Sequence, residues 1–297
     1  MIYMFRPKGV MPPHITPFKR NGEVDEEALR QCVDFWIESK VNGLVPCGSN
    51  GEAPYMSRED RGKVIRTVVD QSNGKVPVIA GTGGLTTEET IRLTKDAKDA
   101  GADAALIVTP FFFKLSDREL YAHYREIVES VDLPVILYNV PKFTGFNLEP
   151  KVVAKLAELE NVVGIKDSSG NIGQIAETIR LVGDRLSVMA GTGDLIYPTL
   201  MLGGKGAIVA IANAAPHECS EIYEAFLRGD HERARAFQLR LLPLNDALTR
   251  KYGVVACKEA LSIMGKPAGL PRKPLLPLPE ESRAEIRRLL ADLQLVR

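Results

Sequence analysis

Short apolar runs alternate with helical patterns along most of this 297-residue chain, and that alternation restricts its fold more than any other feature. Candidate strands lie at Gly9–Ile15, Gly43–Cys47, Val76–Ala80, Ala104–Val108, Val135–Tyr138, Val162–Lys166, Ser187–Ala190 and Ala207–Ile211. Their spacing of roughly 25–35 residues is the length of a βα unit. Strands separated by helices lie parallel and are joined by right-handed crossovers. Eight such units close most economically into a (β/α)8 barrel, so the expected fold class is α/β.

Helix start signals support the alternation. Ser57-x-x-Asp60, Thr86-x-x-Glu89 and Ser116-x-x-Glu119 each place a hydroxyl where it can accept a free N–H of a first turn. Leu29, Cys32/Val33 and Trp36/Ile37 form an apolar stripe at helical spacing. Val78–Gly83 and Val188–Gly193 echo one another, as two tight strand-to-helix turns would. After about residue 217 the strands stop, and Cys219–Leu227, His231–Thr249 and Val254–Met264 read as helices. A proline-rich connector at Leu270–Pro279 precedes a last amphipathic helix from about Glu280 to Leu295. The expected organisation is a barrel over residues 1–217 and a helical extension over 218–297.

Lys+Arg and Asp+Glu both number 38, so charge gives no reason to expect a nucleic acid or an anionic membrane as partner. The start, Met1 to Pro7, lacks the pattern of a secretory signal, and no apolar run reaches spanning length. Cys32, Cys47, Cys219 and Cys257 are scattered without a CxxC pair, which fits a reduced, cytoplasmic protein. His14, His123, His217 and His231 form no ligand pattern, and neither a metal nor a cofactor is expected. Gly81-x-Gly83 and Gly191-x-Gly193 lack the third glycine of a dinucleotide fingerprint, and Gly204-Lys205-Gly206 is no P-loop.

Barrels of this kind carry their chemistry at the carboxyl ends of the strands. Two candidate strands end there on reactive side chains, Tyr138 on the fifth and Lys166 on the sixth. A lone strand-end lysine ordinarily reaches into water. A tyrosine on the adjacent strand and a glycine-rich loop after the second argue against that here. An amine in apolar surroundings loses hydration and charge, and the neutral amine forms Schiff bases with carbonyls. The loop Gly48-Ser49-Asn50-Gly51-Glu52 offers backbone N–H groups, a hydroxyl and an amide suited to a carboxylate.

The Gly48–Glu52 loop, Tyr138-Asn139-Val140-Pro141 with Thr144-Gly145, and Gly164-Ile165-Lys166-Asp167 together resemble the dihydrodipicolinate synthase/N-acetylneuraminate lyase family. The resemblance covers essentially the whole chain and implies class I, pyruvate-dependent aldolase chemistry without a cofactor. It implies that Lys166 forms the Schiff base and that Tyr138 moves the proton at the bond made or broken. It also implies that Ser49 and Asn50 hold the pyruvate carboxylate, with Ser49 in the proton relay, and that Gly191 and Ile208 line the pyruvyl pocket. A homotetramer is the family's common assembly.

Two departures bear on the second substrate. Phe143 stands where the synthases carry an arginine that grips the aldehyde's carboxylate, and Phe112 stands where they carry a tyrosine. The Ser49-Asn50 pair also replaces their usual pair of threonines. The expected activity is therefore reversible cleavage of a 2-oxo-3-deoxy acid, such as 2-keto-3-deoxygluconate, to pyruvate and an aldehyde. The alternatives are a dihydrodipicolinate synthase tolerant of both phenylalanines, a barrel that binds oxo acids without turnover, and a metal- or phosphate-dependent barrel enzyme.

Overall fold

Proline decides where the barrel wall is regular. The computed structural model describes residues 5–296, so Met1–Met4, part of the leader reading, lie outside the described residues. Seven parallel strands follow the order β1-β7-β6-β5-β4-β3-β2. They are β1 (Gly9–Met11), β2 (Ile79–Gly81), β3 (Ala104–Val108), β4 (Val135–Asn139), β5 (Val162–Asp167), β6 (Ser187–Ala190) and β7 (Gly206–Ile208).

The eighth position of the wall is the segment expected as the second strand, 43–47. It bonds to both edges of the sheet without forming a ladder. Val45 N–H donates to Pro12 O and His14 N–H to Val45 O on one side. Leu44 N–H donates to Pro77 O, and Ile79 and Gly81 donate to Leu44 O and Pro46 O, on the other. Pro12, Pro13, Pro46 and Pro77 have no N–H to give, so the ladder is interrupted and β1 stops at Met11 rather than Ile15. The ring is nonetheless closed, giving the (β/α)8 barrel.

The helices are α1 (Glu26–Glu38), α2 (Arg58–Ser72), α3 (Thr87–Asp99), α4 (Asp117–Ser130), α5 (Pro141–Thr144), α6 (Pro150–Leu156), α7 (Ile172–Val182), α8 (Ile196–Met201), α9 (Pro216–Leu227), α10 (His231–Asp246), α11 (Val254–Ile263) and α12 (Glu280–Asp292). Ser57 and Ser116 make the expected reciprocal capping boxes, and Thr86 caps α3. The stripe on α1 buries Leu29, Cys32, Val33 and Trp36 against the wall. None of the helices is long and apolar enough to cross a membrane among the described residues.

Two apolar layers hold the molecule together. Side chains such as Met11, Ile79, Leu106, Ile136, Met189 and Ile208 fill the barrel interior. The outward faces of the strands pack against the helices. Beyond β7 the chain runs α9, which packs on β1 and α8, then α10, one π-helical turn over Ala247–Lys251, α11, the connector and α12. That π turn brings the extension over the carboxyl ends of the strands, where such irregularities recur at functional sites.

Candidate active site

Strand register places the two central side chains. Tyr138 on β4 pairs directly with Lys166 on β5, so both rise from the same height on the inner wall. Lys166 Nζ lies 4.2 Å from the centre of the Tyr138 ring. Lys166 is only 3% exposed and Tyr138 only 6%. Burial disfavours the ammonium and holds Lys166 below the ordinary lysine value of 10.5, while the Tyr138 phenol opposes the shift. More of this lysine is free amine at neutral pH than at the surface.

The next residue on each strand points outward and fixes the pair from behind. Asn139 Nδ2 donates to Asn147 Oδ1 at 2.8 Å and to Asp167 Oδ2 at 3.3 Å. Gln174 Nε2 donates to the same Asp167 oxygen at 2.8 Å, and Ser169 N–H to Asp167 Oδ1 at 2.8 Å. Both strand ends are thus tied to one buried polar network, which limits how far the amine and phenol can drift apart.

The Gly48–Glu52 loop meets them from across the barrel. Ser49–Gly51 forms one 3-10 turn, and the flanking Cys47 and Glu52 are left-handed, at φ 57° and 61°. A side chain on Gly81 would collide with the Cys47 carbonyl, so glycine on β2 is what lets this loop approach. Ser49 Oγ lies 3.5 Å from Tyr138 Oη, a long contact at the edge of hydrogen-bonding range.

A cavity of about 110 Å³ opens between these groups. Ser49, Asn50, Tyr138, Phe143, Lys166 and Gly191 all line it. At Gly191 any side chain would run into Ser168 Oγ and the Asp167 carbonyl, so glycine keeps β6 close to β5 here. Ile208 is the exception among the expected residues. It is fully buried in the barrel interior, in one apolar cluster with Tyr138 and Met189, and is not among the residues that face this cavity.

Sequence reasoning missed the other side of the cavity. Lys142, on α5, and Leu248, Thr249, Gly253 and Val254, from the extension, complete it. Nothing in the local pattern of 247–254 marks these residues, since they arrive through the π turn and the following loop. The YNVP motif did end one residue short of Lys142.

It also missed what anchors the Gly48–Glu52 loop. Glu52 turns away from the cavity and is 1% exposed. Its carboxylate meets Lys258 Nζ of α11 at 2.5 Å and accepts the Arg272 backbone N–H at 2.7 Å. Lys258 Nζ also donates to Leu270 O at 2.7 Å and stands 4.4 Å over the Phe18 ring. Burial lowers the Lys258 pKa to about 8, and the Glu52 carboxylate beside it opposes the shift.

Known proteins resemble this chain over its full length. The 4-hydroxy-tetrahydrodipicolinate synthase of Archaeoglobus fulgidus is 44% identical over 289 residues, covering 97% of this chain and 99% of its own. That of Methanothrix thermoacetophila is 43% identical over 291 residues, covering 98% and 97%. The crystal structure of the dihydrodipicolinate synthase from Acinetobacter baumannii complexed with pyruvate superposes with a TM-score of 0.94. It is 36% identical and covers 97% of this chain and 99% of that one. These relatives overturn the expectation of a 2-keto-3-deoxygluconate-type aldolase: Phe143, Phe112 and Ser49-Asn50 had suggested that branch, yet full-length similarity runs to synthases. The model of the dihydrodipicolinate synthetase family matches residues 6–293, and the chain belongs to that family as a class I, pyruvate-dependent carbon–carbon lyase.

Proposed function

We propose that this protein condenses pyruvate with aspartate semialdehyde to give 4-hydroxy-tetrahydrodipicolinate. Lys166 Nζ attacks C2 of pyruvate and water leaves, forming an imine; loss of a C3 proton gives the enamine. C3 then bonds to the aldehyde carbon, and Tyr138 protonates the resulting alkoxide. The amine of the second substrate finally displaces Lys166 from the imine carbon and closes the ring. Ser49 and Asn50 hold the pyruvate carboxylate, and Ser49 connects Tyr138 to solvent. The iminium is the electron sink for loss of the C3 proton, and it re-forms when C3 bonds to the aldehyde carbon.

One observation carries the reading: the buried Lys166 amine stands in register with Tyr138 on the wall of a cavity that Ser49 and Asn50 also line. The choice of second substrate follows the relatives. A coupled assay with pyruvate and aspartate semialdehyde tests it directly. Turnover is the expected result, and none at millimolar substrate would refute the assignment. Replacing Tyr138 by Phe keeps the ring but removes the proton. It should lower kcat by about 10²-fold or more while pyruvate still forms its imine. Turnover within a few-fold of the unmodified enzyme would remove Tyr138 from the relay.

A cytoplasmic homo-oligomer, a tetramer by analogy with the family, belongs to the same proposal. Phe112 and Phe113 support it: they are 84% and 72% exposed, and Phe112 is held at φ 82°, so two large rings project where a second copy would cover them. In that position Phe112 supplies no hydroxyl, and the relay beyond Ser49 runs to water.

A further inference from the structure

An aldehyde that carries a carboxylate needs a cation within reach of Lys166 and Tyr138. Two cations line the cavity, Lys166 and Lys142. Lys166 is consumed as the imine, so its charge is already committed to the keto acid. Phe143, the next residue along α5, offers only an apolar ring, 53% exposed. Arg61 lines the adjacent cleft, but its guanidinium donates to Ala53 O at 2.9 Å and Gly83 O at 3.3 Å. Among the described residues no Asp or Glu lines the cavity, so none of them there would repel an anion or neutralise the ammonium.

Lys142 is also free to act. Among the described residues it forms no ion pair; its Nζ donates to the backbone carbonyl of Thr249 at 3.2 Å. A carbonyl accepts one of three N–H groups and leaves two for a ligand. The backbone beneath it is fixed. Pro141 opens α5, Thr144 Oγ1 donates to Phe146 O at 2.9 Å, and Gly145 ends the turn at φ 80°. The bond to Thr249 draws the side chain from the end of β4 across the mouth toward the extension.

We propose that Lys142 receives the carboxylate of the second substrate and so selects acidic aldehydes, an inference that rests on the aldol chemistry assigned to Lys166. The Thr249 carbonyl parks the ammonium over the cavity before substrate arrives. The Phe143 ring beside it forms an apolar wall against which the carbon chain of the aldehyde lies. A cation one position earlier in the turn thus does what Phe143 cannot.

The test compares succinic semialdehyde with butanal, which differ by the carboxylate alone, and runs aspartate semialdehyde in parallel. The unmodified enzyme should prefer the acid in kcat/KM. Lys142→Met, which keeps the stem and removes the charge, should cut that preference about tenfold or more. Lys142→Arg should restore most of it, and borohydride trapping of pyruvate should be unaffected. A preference unchanged within twofold in Lys142→Met overturns the proposal, as does equal use, or non-use, of both aldehydes by the unmodified enzyme. Acid preference without use of aspartate semialdehyde would sink the proposed reaction but leave Lys142 in its role. Aspartate semialdehyde used equally well by Lys142→Met would do the reverse.

Discussion

Lys166→Met will lose turnover by on the order of 10⁴-fold or more and will no longer acquire a pyruvyl group on borohydride reduction. The loss is that large because no second amine among the described residues can take over: the other cation on the cavity wall, Lys142, is at the mouth, bound to Thr249 O. Peptide mass mapping of the reduced enzyme should find the adduct on the peptide containing Lys166 and nowhere else. An adduct on another lysine, or turnover surviving the substitution, would end the Schiff-base assignment.

The same variant should be at least as stable as the unmodified protein. Burying an amine whose ammonium is disfavoured costs folding free energy, and methionine fills similar space without charge. The sign follows from linkage. Lys166 in the folded state titrates below 10.5, so at neutral pH the unfolded chain holds its proton more firmly than the folded one. Stability of the unmodified protein therefore gains from this group as pH rises from the folded value toward 10.5. The advantage of Lys166→Met should be largest at neutral and lower pH and fade toward 10.5. Thermal melts of both proteins across that range check it; a gap that widens with pH would show that the lysine is not held neutral by burial.

How much of this was legible in the sequence depends on whether the signal is local. Tyr138 and Lys166 end neighbouring apolar runs, so their pairing across β4 and β5 follows from the strand pattern alone. The capping boxes at Ser57 and Ser116 are local as well, and both form. The second strand was misjudged because apolarity at 43–47 signals burial, whereas a ladder also needs N–H groups that Pro12, Pro13 and Pro46 lack. The substrate reading failed differently. Phe143 and Phe112 were weighed as single losses, and neither says what else can hold a carboxylate. Thr249, Gly253 and Glu52's partners are out of reach of such reasoning, since they meet the site across long separations in the chain.

Those long-range contacts carry the second large effect. Glu52→Gln or Lys258→Met, made singly, should each destabilise the protein by about 3–5 kcal/mol. Each leaves one charge buried without its counterion, in a site where the two side chains are 0% and 2% exposed. The double variant should be less damaged than either single one, because two neutral groups need no mutual compensation. Pyruvate binding should weaken along with stability. Glu52 ends the loop that carries Ser49 and Asn50, and its left-handed backbone needs external support. That support comes from α11 and the connector through Lys258, the Arg272 N–H, and Arg272 Nη1, which reaches Asp60 Oδ2 at 2.6 Å at the start of α2. On the proposed assignments, the extension therefore acts on the keto-acid end of the site through Glu52 and on the aldehyde end through Thr249. Denaturant unfolding of the double-mutant cycle, with KM for pyruvate measured on each member, checks both halves. Single variants within 1 kcal/mol of the unmodified protein, or a double variant as damaged as the two losses summed, would show that the pair contributes no coupling and that the loop stands without it.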